Sequence, residues 1–286
     1  MQGELFLIGT PIGNLGDLSP RAADVLAKAD FIAAEDTRVT LKLLNHLGLK
    51  KPMVSYYEHN RRQRGGEIAA RILAGESCAL VTDAGMPAVS DPGEELVALC
   101  AESGIAVIVI PGPCAAVAAV AASGLPCGRF CFEGFLSVGN RSRRQHLEDI
   151  CGERRSMVFY EAPHKLRATL ADLLEALGDR RIAIAREMTK MHEEIIRTTL
   201  SQACEYYRQN DPKGEFVLVI EGKKDDPSQE EPDEQAAVEM VRARLEQGQS
   251  HAQAVKAVAK VTGVNRSLLY KETVAGEEPG ENEEGM

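Results

Sequence analysis

The chain contains no apolar run of the length that a membrane span requires, because charges or Gly and Pro interrupt every candidate. It contains no Cys-x-x-Cys pair, although seven cysteines are scattered along it, several within apolar stretches. This usage speaks against a thiolate zinc cluster and predicts reduced core thiols in a cytoplasmic protein. The histidines lack metal-ligand spacing too: His192-Glu193-Glu194 has no second histidine one helical turn away, so no metal is expected. The first residues, Met1-Gln2-Gly3-Glu4, carry no basic group and do not read as a secretion signal. No internal repeat is found.

An excess of basic charge is also missing, but the net value of −10 misleads. Residues 225–234 hold six acids and no base, and the stretch from Gly276 onward holds five more. Without those segments the body of the chain is close to neutral, with local basic clusters. Overall acidity therefore does not exclude a nucleic-acid substrate.

What is present is alternation. From residue 4 to about 135, short apolar runs alternate with helical patterns. The predicted strands are Leu5–Gly9, Phe31–Glu35, Met53–Tyr57, Ala79–Thr82, Ala106–Ile110 and Phe130–Phe135. Ser19-Pro20 starts one helix with a cap and a first-turn proline, Pro92-Gly93-Glu94 starts another, and Ala115–Ser123 is a small-residue helix suited to close packing on a sheet. Such alternation predicts a mainly parallel sheet covered by helices, forming an α/β domain over 1–136. From 137 to 223 the pattern has more strands (Met157–Tyr160, Ile182–Ala185, Ile195–Leu200, Phe216–Ile220) and one clear amphipathic helix, Lys165–Leu177. A second α/β domain with a mixed sheet is expected there. The acidic segment 224–235 reads as a linker, 236–275 as a small helical module of helix-turn-helix type, and 276–286 as a disordered acidic tail.

Three loops follow predicted strands and lead toward helices. They are Gly9-Thr10-Pro11-Ile12-Gly13-Asn14-Leu15-Gly16-Asp17, Thr82-Asp83-Ala84-Gly85-Met86-Pro87 and on to Gly93, and Pro111-Gly112-Pro113-Cys114-Ala115. None matches Gly-x-Gly-x-x-Gly or the Walker sequence. Strand C-termini that run into helices are where open α/β sheets bind ligands, so the three together predict one crevice that admits a nucleoside-sized ligand. Asp83 is placed to accept hydrogen bonds there, whereas Asp91, directly before Pro92, reads as a helix N-cap. Two clusters, Arg61, Arg62, Arg64 and Arg141, Arg143, Arg144, fit either phosphate contacts or solvated faces. Tyr160-Glu161-Ala162-Pro163-His164 and Glu187–Glu194 each place a histidine near a carboxylate after a predicted strand.

Six segments occur in a fixed order: Ile8–Asp17, Ala33–Arg38, Thr82–Gly93, Pro111–Ala115, Phe159–His164 and Glu187–Glu194. Together they resemble the ribosomal RNA branch of the tetrapyrrole-methylase-like superfamily, over roughly residues 3–223, with 236–273 similar to that branch's C-terminal helical module. The resemblance implies two α/β domains with S-adenosylmethionine held in the cleft between them. It implies methylation of the ribose 2′-hydroxyl of a cytidine in 16S ribosomal RNA, within the 30S subunit, by a cytoplasmic homodimer. The donor contacts it implies fall on Pro11, Ile12, Gly13, Asp83, Ala84, Gly85, Ala88, Cys114, Ala115, Glu161 and Met188. For the proton acceptor, Glu187 is nominated first because it ends a predicted strand in a motif expected to face the cleft, then His192 and Glu161, with Lys190 as a charge stabiliser. Two other readings stay open: methylation of a tetrapyrrole or other small molecule on the same fold, and a non-enzymatic nucleic-acid-binding protein.

Overall fold

The computed structural model describes residues 3–224 and 233–274. Residues 225–232 of the expected linker and the expected tail 276–286 lie outside the described residues. The chain forms two compact units, 1–223 and 224–286.

The first unit is built on two five-stranded sheets. Strands β1 (Glu4–Ile8), β2 (Phe31–Ala34), β3 (Met53–Ser55), β4 (Cys78–Val81) and β5 (Ala106–Ile110) form the first, in the order β3-β2-β4-β1-β5. Every pairing in it is parallel. Period-two alternation sends Leu5, Leu7, Phe31, Ala33 and Leu80 to one face, against Ile68 and Ile72 of α3 (Arg61–Leu73) and Leu96 of α4 (Glu94–Glu102). Ile8, Ile32, Ala34 and Val81 face the other way, against Leu26 of α1 (Pro20–Lys28) and Leu44 of α2 (Thr37–His46). Each fully buried leucine or isoleucine in these layers stabilises the fold by about 1.5–3 kcal/mol. Ser19 caps α1 as its sequence predicts, accepting from Ala22 N–H at 3.1 Å.

The second sheet contains β6 (Phe130–Phe135), β7 (Ser156–Glu161), β8 (Arg181–Arg186), β9 (Glu194–Thr199) and β10 (Phe216–Ile220), in the order β6-β7-β10-β8-β9. Only β6 and β7 run parallel, so the sheet is mixed as expected. Phe130–Phe135, grouped above with the first sheet, pairs instead with β7. Periodicity identifies a strand but not its partner. The small-residue helix α5 (Ala115–Ser123) leaves β5 and packs Ala116, Ala119 and Val120 onto Val158, Ala183 and Val217 of this second sheet. Alanines on that face permit the close approach. The opposite face is covered by α6 (Asn140–Ile150), α7 (Pro163–Leu177) and α8 (Leu200–Gln209). Helix α6 includes the basic stretch 140–144 and enters the core through Ile150 and the partly buried Leu147.

Cys78 and Cys100 are buried core thiols, pushed by burial up to about 12 and about 11, whereas Cys127 and Cys151 are exposed. The second unit is a bundle of α9 (Glu234–Glu246), α10 (His251–Thr262) and α11 (Arg266–Val274) around Val241, Ala254, Val258 and Leu269. Gly263 turns α10 into α11 with φ 76°, the left-handed C-cap that glycine adopts without strain.

Candidate active site

The three loops do converge. Thr10 and Gly85 exchange two backbone hydrogen bonds, Thr10 N–H to Gly85 O at 2.8 Å and Gly85 N–H to Thr10 O at 3.1 Å. The loops after β1 and β4 are thereby tied into one layer. The loop after β5 is joined to them by backbone contact: a Cβ on Gly9 would lie 2.6 Å from Gly112 Cα, and one on Gly112 would lie 2.6 Å from Gly9 O. Neither glycine has room for a side chain.

This layer forms one wall of a cavity of about 450 Å³. Ile12, Ala84, Gly85, Cys114 and Ala115 line it from the first half, and Tyr160, Glu161, Ala162 and Phe216 line it from the second sheet. Of the donor contacts that the resemblance implies, Ile12, Ala84, Gly85, Cys114, Ala115 and Glu161 meet here. Pro11, Gly13 and Asp83 line an adjoining smaller recess instead. Ala88 and Met188 line neither. Ala88 holds a strained φ of 67°, and Met188 packs against the buried cluster that includes Val158, Ala183 and Val217.

The cavity lining carries three carboxylates, Asp91, Glu161 and Glu215, and no Lys, Arg or His. Such a lining suits a cationic ligand. Glu215 is paired with Lys190, whose Nζ lies 3.0 Å from its Oε2. Glu161 is 4% exposed and both its oxygens are engaged, Oε1 by its neighbour Ala162 N–H at 2.8 Å and Oε2 by Thr169 Oγ1 at 2.5 Å. Asp91 forms no ion pair among the described residues, and burial, assisted by the nearby Glu35 charge, pushes its carboxyl up to about 6.

Asp91 is a residue that sequence reasoning misassigned. Helix α4 begins only at Glu94, its N-cap is Gly93 at φ 150°, and no side chain caps it. Ser90 at φ 61° and Gly93 turn the intervening segment, so Asp91 faces the cavity rather than the helix N-terminus. An Asp-Pro pair reads as a cap locally, but Gly93, two residues on, takes the cap position.

The three residues nominated as proton acceptors are placed differently from one another. Glu187 does not line the cavity. Lys190 Nζ bonds its Oε1 at 2.9 Å, Glu215 N–H bonds the same oxygen at 3.0 Å, and these contacts lower its carboxyl below the ordinary range. A carboxylate held below the ordinary range is a poor base, and its bonds tie the β8–β9 connection, where Glu187 itself sits at φ 51°, to Glu215. His192 is exposed, and its ring makes no hydrogen bond among the described residues. Glu161 reaches the cavity with one hydrogen bond on each of its oxygens, which fixes its orientation.

The arginine clusters also divide. Arg143 is turned inward, its guanidinium bonding Asp172 Oδ2 at 2.6 Å, Thr169 Oγ1 at 3.1 Å and Ser137 O at 3.3 Å. It is not available to a phosphate. Arg61 pairs with Glu58 and Glu95, and Arg64 with Glu67. Arg62, Arg141 and Arg144 are exposed and form no ion pair among the described residues.

The family model for Tetrapyrrole (Corrin/Porphyrin) Methylases matches residues 4–204. The chain belongs to this family. Within it, the chain is 48% identical to the Ribosomal RNA small subunit methyltransferase I of Synechocystis sp., over 94% of this chain and 96% of that protein. It is 45% identical to the protein of the same name from Halalkalibacterium halodurans, over 94% of each. Among solved structures, Uroporphyrin-III C-methyl transferase from Thermus thermophilus complexed with S-adenyl homocysteine superposes with TM-score 0.55 at 17% identity, covering 77% of this chain and 97% of that one. At that identity the likeness establishes the fold.

Proposed function

We propose that this protein transfers the methyl group of S-adenosylmethionine to the ribose 2′-hydroxyl of a cytidine in the decoding region of 16S ribosomal RNA. The acidic, cation-free cavity at the joined strand-end loops carries the donor part of this reading. Its volume lies in the range of small-molecule sites. The lining offers carboxylates to a sulfonium and an α-ammonium group, and apolar walls (Ile12, Val89, Phe135, Val217) to the rest of the molecule. The RNA part rests on relatives named as ribosomal RNA methyltransferases at 45–48% identity over nearly the whole chain.

When bound, the donor supplies an activated methyl group on a sulfonium. The protein has to align the acceptor hydroxyl behind that methyl, keep water out and take up the hydroxyl proton. Glu161, buried and held by Thr169, orients the donor. Asp91 is the cavity carboxylate without a protein cation, and its raised pKa suits proton uptake near neutral pH. Arg62, Arg141 and Arg144 contact RNA phosphates. The active form is a homodimer in the cytoplasm: β5 is an open sheet edge, and Val109 on it and Val117 on α5 are 49% and 56% exposed. No helix among the described residues is long and apolar enough to cross a membrane.

The test is incubation of 30S subunits that lack the modification with labelled S-adenosylmethionine, followed by mapping of the labelled nucleoside. Label on the ribose of a cytidine is expected. Label on a base, or transfer only to a tetrapyrrole, sinks the reading.

A further inference from the structure

Beside the donor cavity lies the second recess, of about 250 Å³, between the loop after β1 and helix α2. The two share a wall. Ile12, Ala84 and Gly85 face the larger space, while Pro11, Gly13 and Asp83, interleaved with them in sequence, face the smaller. We infer that the smaller recess seats the pyrimidine base of the acceptor nucleotide, and that it distinguishes cytosine from uracil. This inference rests on the ribosomal RNA reading above.

Three features of the lining point to a nucleotide. Pro11, Leu15 and Val39 form apolar walls, and Leu15 is a 47% exposed leucine on a short 3-10 turn with no core to pack against. A flat ring between such walls removes that surface from water. Lys42, exposed and without an ion pair among the described residues, supplies a cation for the attached phosphate. Two polar side chains retain unused capacity of opposite kinds. Asp83 Oδ1 accepts from Asp36 N–H at 3.1 Å, and Oδ2 has no donor among the described residues. Asn14 Oδ1 accepts from Gly16 N–H at 3.0 Å, and its NH₂ has no acceptor among the described residues.

One acceptor and one donor complement cytosine, whose N4 amino group donates while its ring nitrogen and O2 accept. Uracil presents a carbonyl where cytosine presents that amino group, and would set an oxygen against Asp83. A base leaving its stack to enter this recess places its ribose at the shared wall, next to the cavity that holds Asp91.

Two measurements test this with the full-length protein. The first is equilibrium binding of the trinucleotides CpCpC and UpUpU, with S-adenosylmethionine binding followed in parallel. Wild type is expected to bind CpCpC at least tenfold more tightly than UpUpU. Val39→Trp and Leu15→Trp, which fill the recess from a helix and from a surface turn, are expected to lose that binding and keep wild-type donor affinity. The second is methylation of unmodified 30S subunits, where both variants should raise KM at least tenfold. Equal affinity for the two trinucleotides, or CpCpC binding retained by both filled variants, overturns the inference. So does loss of donor affinity in both variants, which would assign the recess to the donor. Failure of wild type to label 30S ribose overturns the ribosomal RNA reading instead, and the trinucleotide result then still decides what the recess binds.

Discussion

Thr169 donates its hydroxyl proton to Oε2 of Glu161 over 2.5 Å, and both residues are buried. Behind Thr169 stands Arg143, which donates to the same hydroxyl oxygen at 3.1 Å and is anchored by Asp172. A residue on α6 thus holds the orientation of a carboxylate that lines the donor cavity. Thr169→Val leaves a buried carboxylate oxygen without its donor, at a cost of about 1–3 kcal/mol. The expected outcome is a roughly tenfold weaker Kd for S-adenosylmethionine, measured by calorimetry, with RNA affinity unchanged. Arg143→Ala should reproduce it. If Arg143→Ala weakened RNA and left the donor alone, the inward assignment would be wrong.

Asp91 sets a pH dependence. Its folded-state carboxyl titrates at about 6, above the ordinary value of 3.8, so below pH 6 it is protonated and cannot accept a proton. Methyl transfer under saturating substrates should rise with pH through about 6 and then level. Asp91→Asn should lose about 10²–10⁴ in kcat and the acidic limb with it. The stability effect has the opposite sign. The fold binds the protonated form better, so stability falls as pH rises between about 4 and 6. At pH 7 the asparagine variant should be more stable by about 1–2 kcal/mol, after allowance for partial solvation, in denaturant titrations. A less stable variant with an unchanged acidic limb would remove Asp91 from the mechanism.

Glu187→Gln separates clamping from chemistry. Its carboxylate is lowered by Lys190 and by the Glu215 N–H, so the folded state favours the ionised form. That contribution is present above the ordinary carboxylate pKa and is lost as pH falls through the lowered value. The variant should lose stability near neutral pH and keep the wild-type shape of the pH–rate profile. A profile that lost its acidic limb would restore Glu187 as the base.

Gly112→Ala should act on all three loops together. Its Cβ would meet Gly9 backbone atoms at 2.6–2.8 Å, and backbone cannot rotate aside. Thermal or denaturant unfolding is expected to show a loss of about 3 kcal/mol, together with loss of donor binding. Gly66→Ala, on α3 with nothing near its Cβ, is the control and should be neutral or slightly stabilising.

Salt dependence reads out the RNA contacts. Removing Arg62, Arg141 and Arg144 together should lower the slope of log K against log salt by about 2. Arg61→Ala and Arg64→Ala, which lose intramolecular ion pairs, should change it little.

Much of this was legible in the residues alone. Apolar runs of four to six bounded by Gly, Pro or Asp specify the ten strands to within a residue or two, because burial between layers and side-chain alternation leave a local record. The three strand-end loops were legible for the same reason, since a ligand-facing turn needs Gly and Pro wherever it occurs. Tertiary structure alone decided the rest. Three arginines on neighbouring positions look alike in sequence, yet only Arg143 turns inward, because Asp172 and Thr169 arrive from another helix. Phe130–Phe135 has the pattern of any buried strand, and only packing gave it β7 as a neighbour. Asp91 precedes a proline like any capping residue, and only the path of the 88–93 segment aims it into the cavity. Periodicity records whether a residue is buried; which residue it meets depends on partners distant in the chain, and no local pattern carries that.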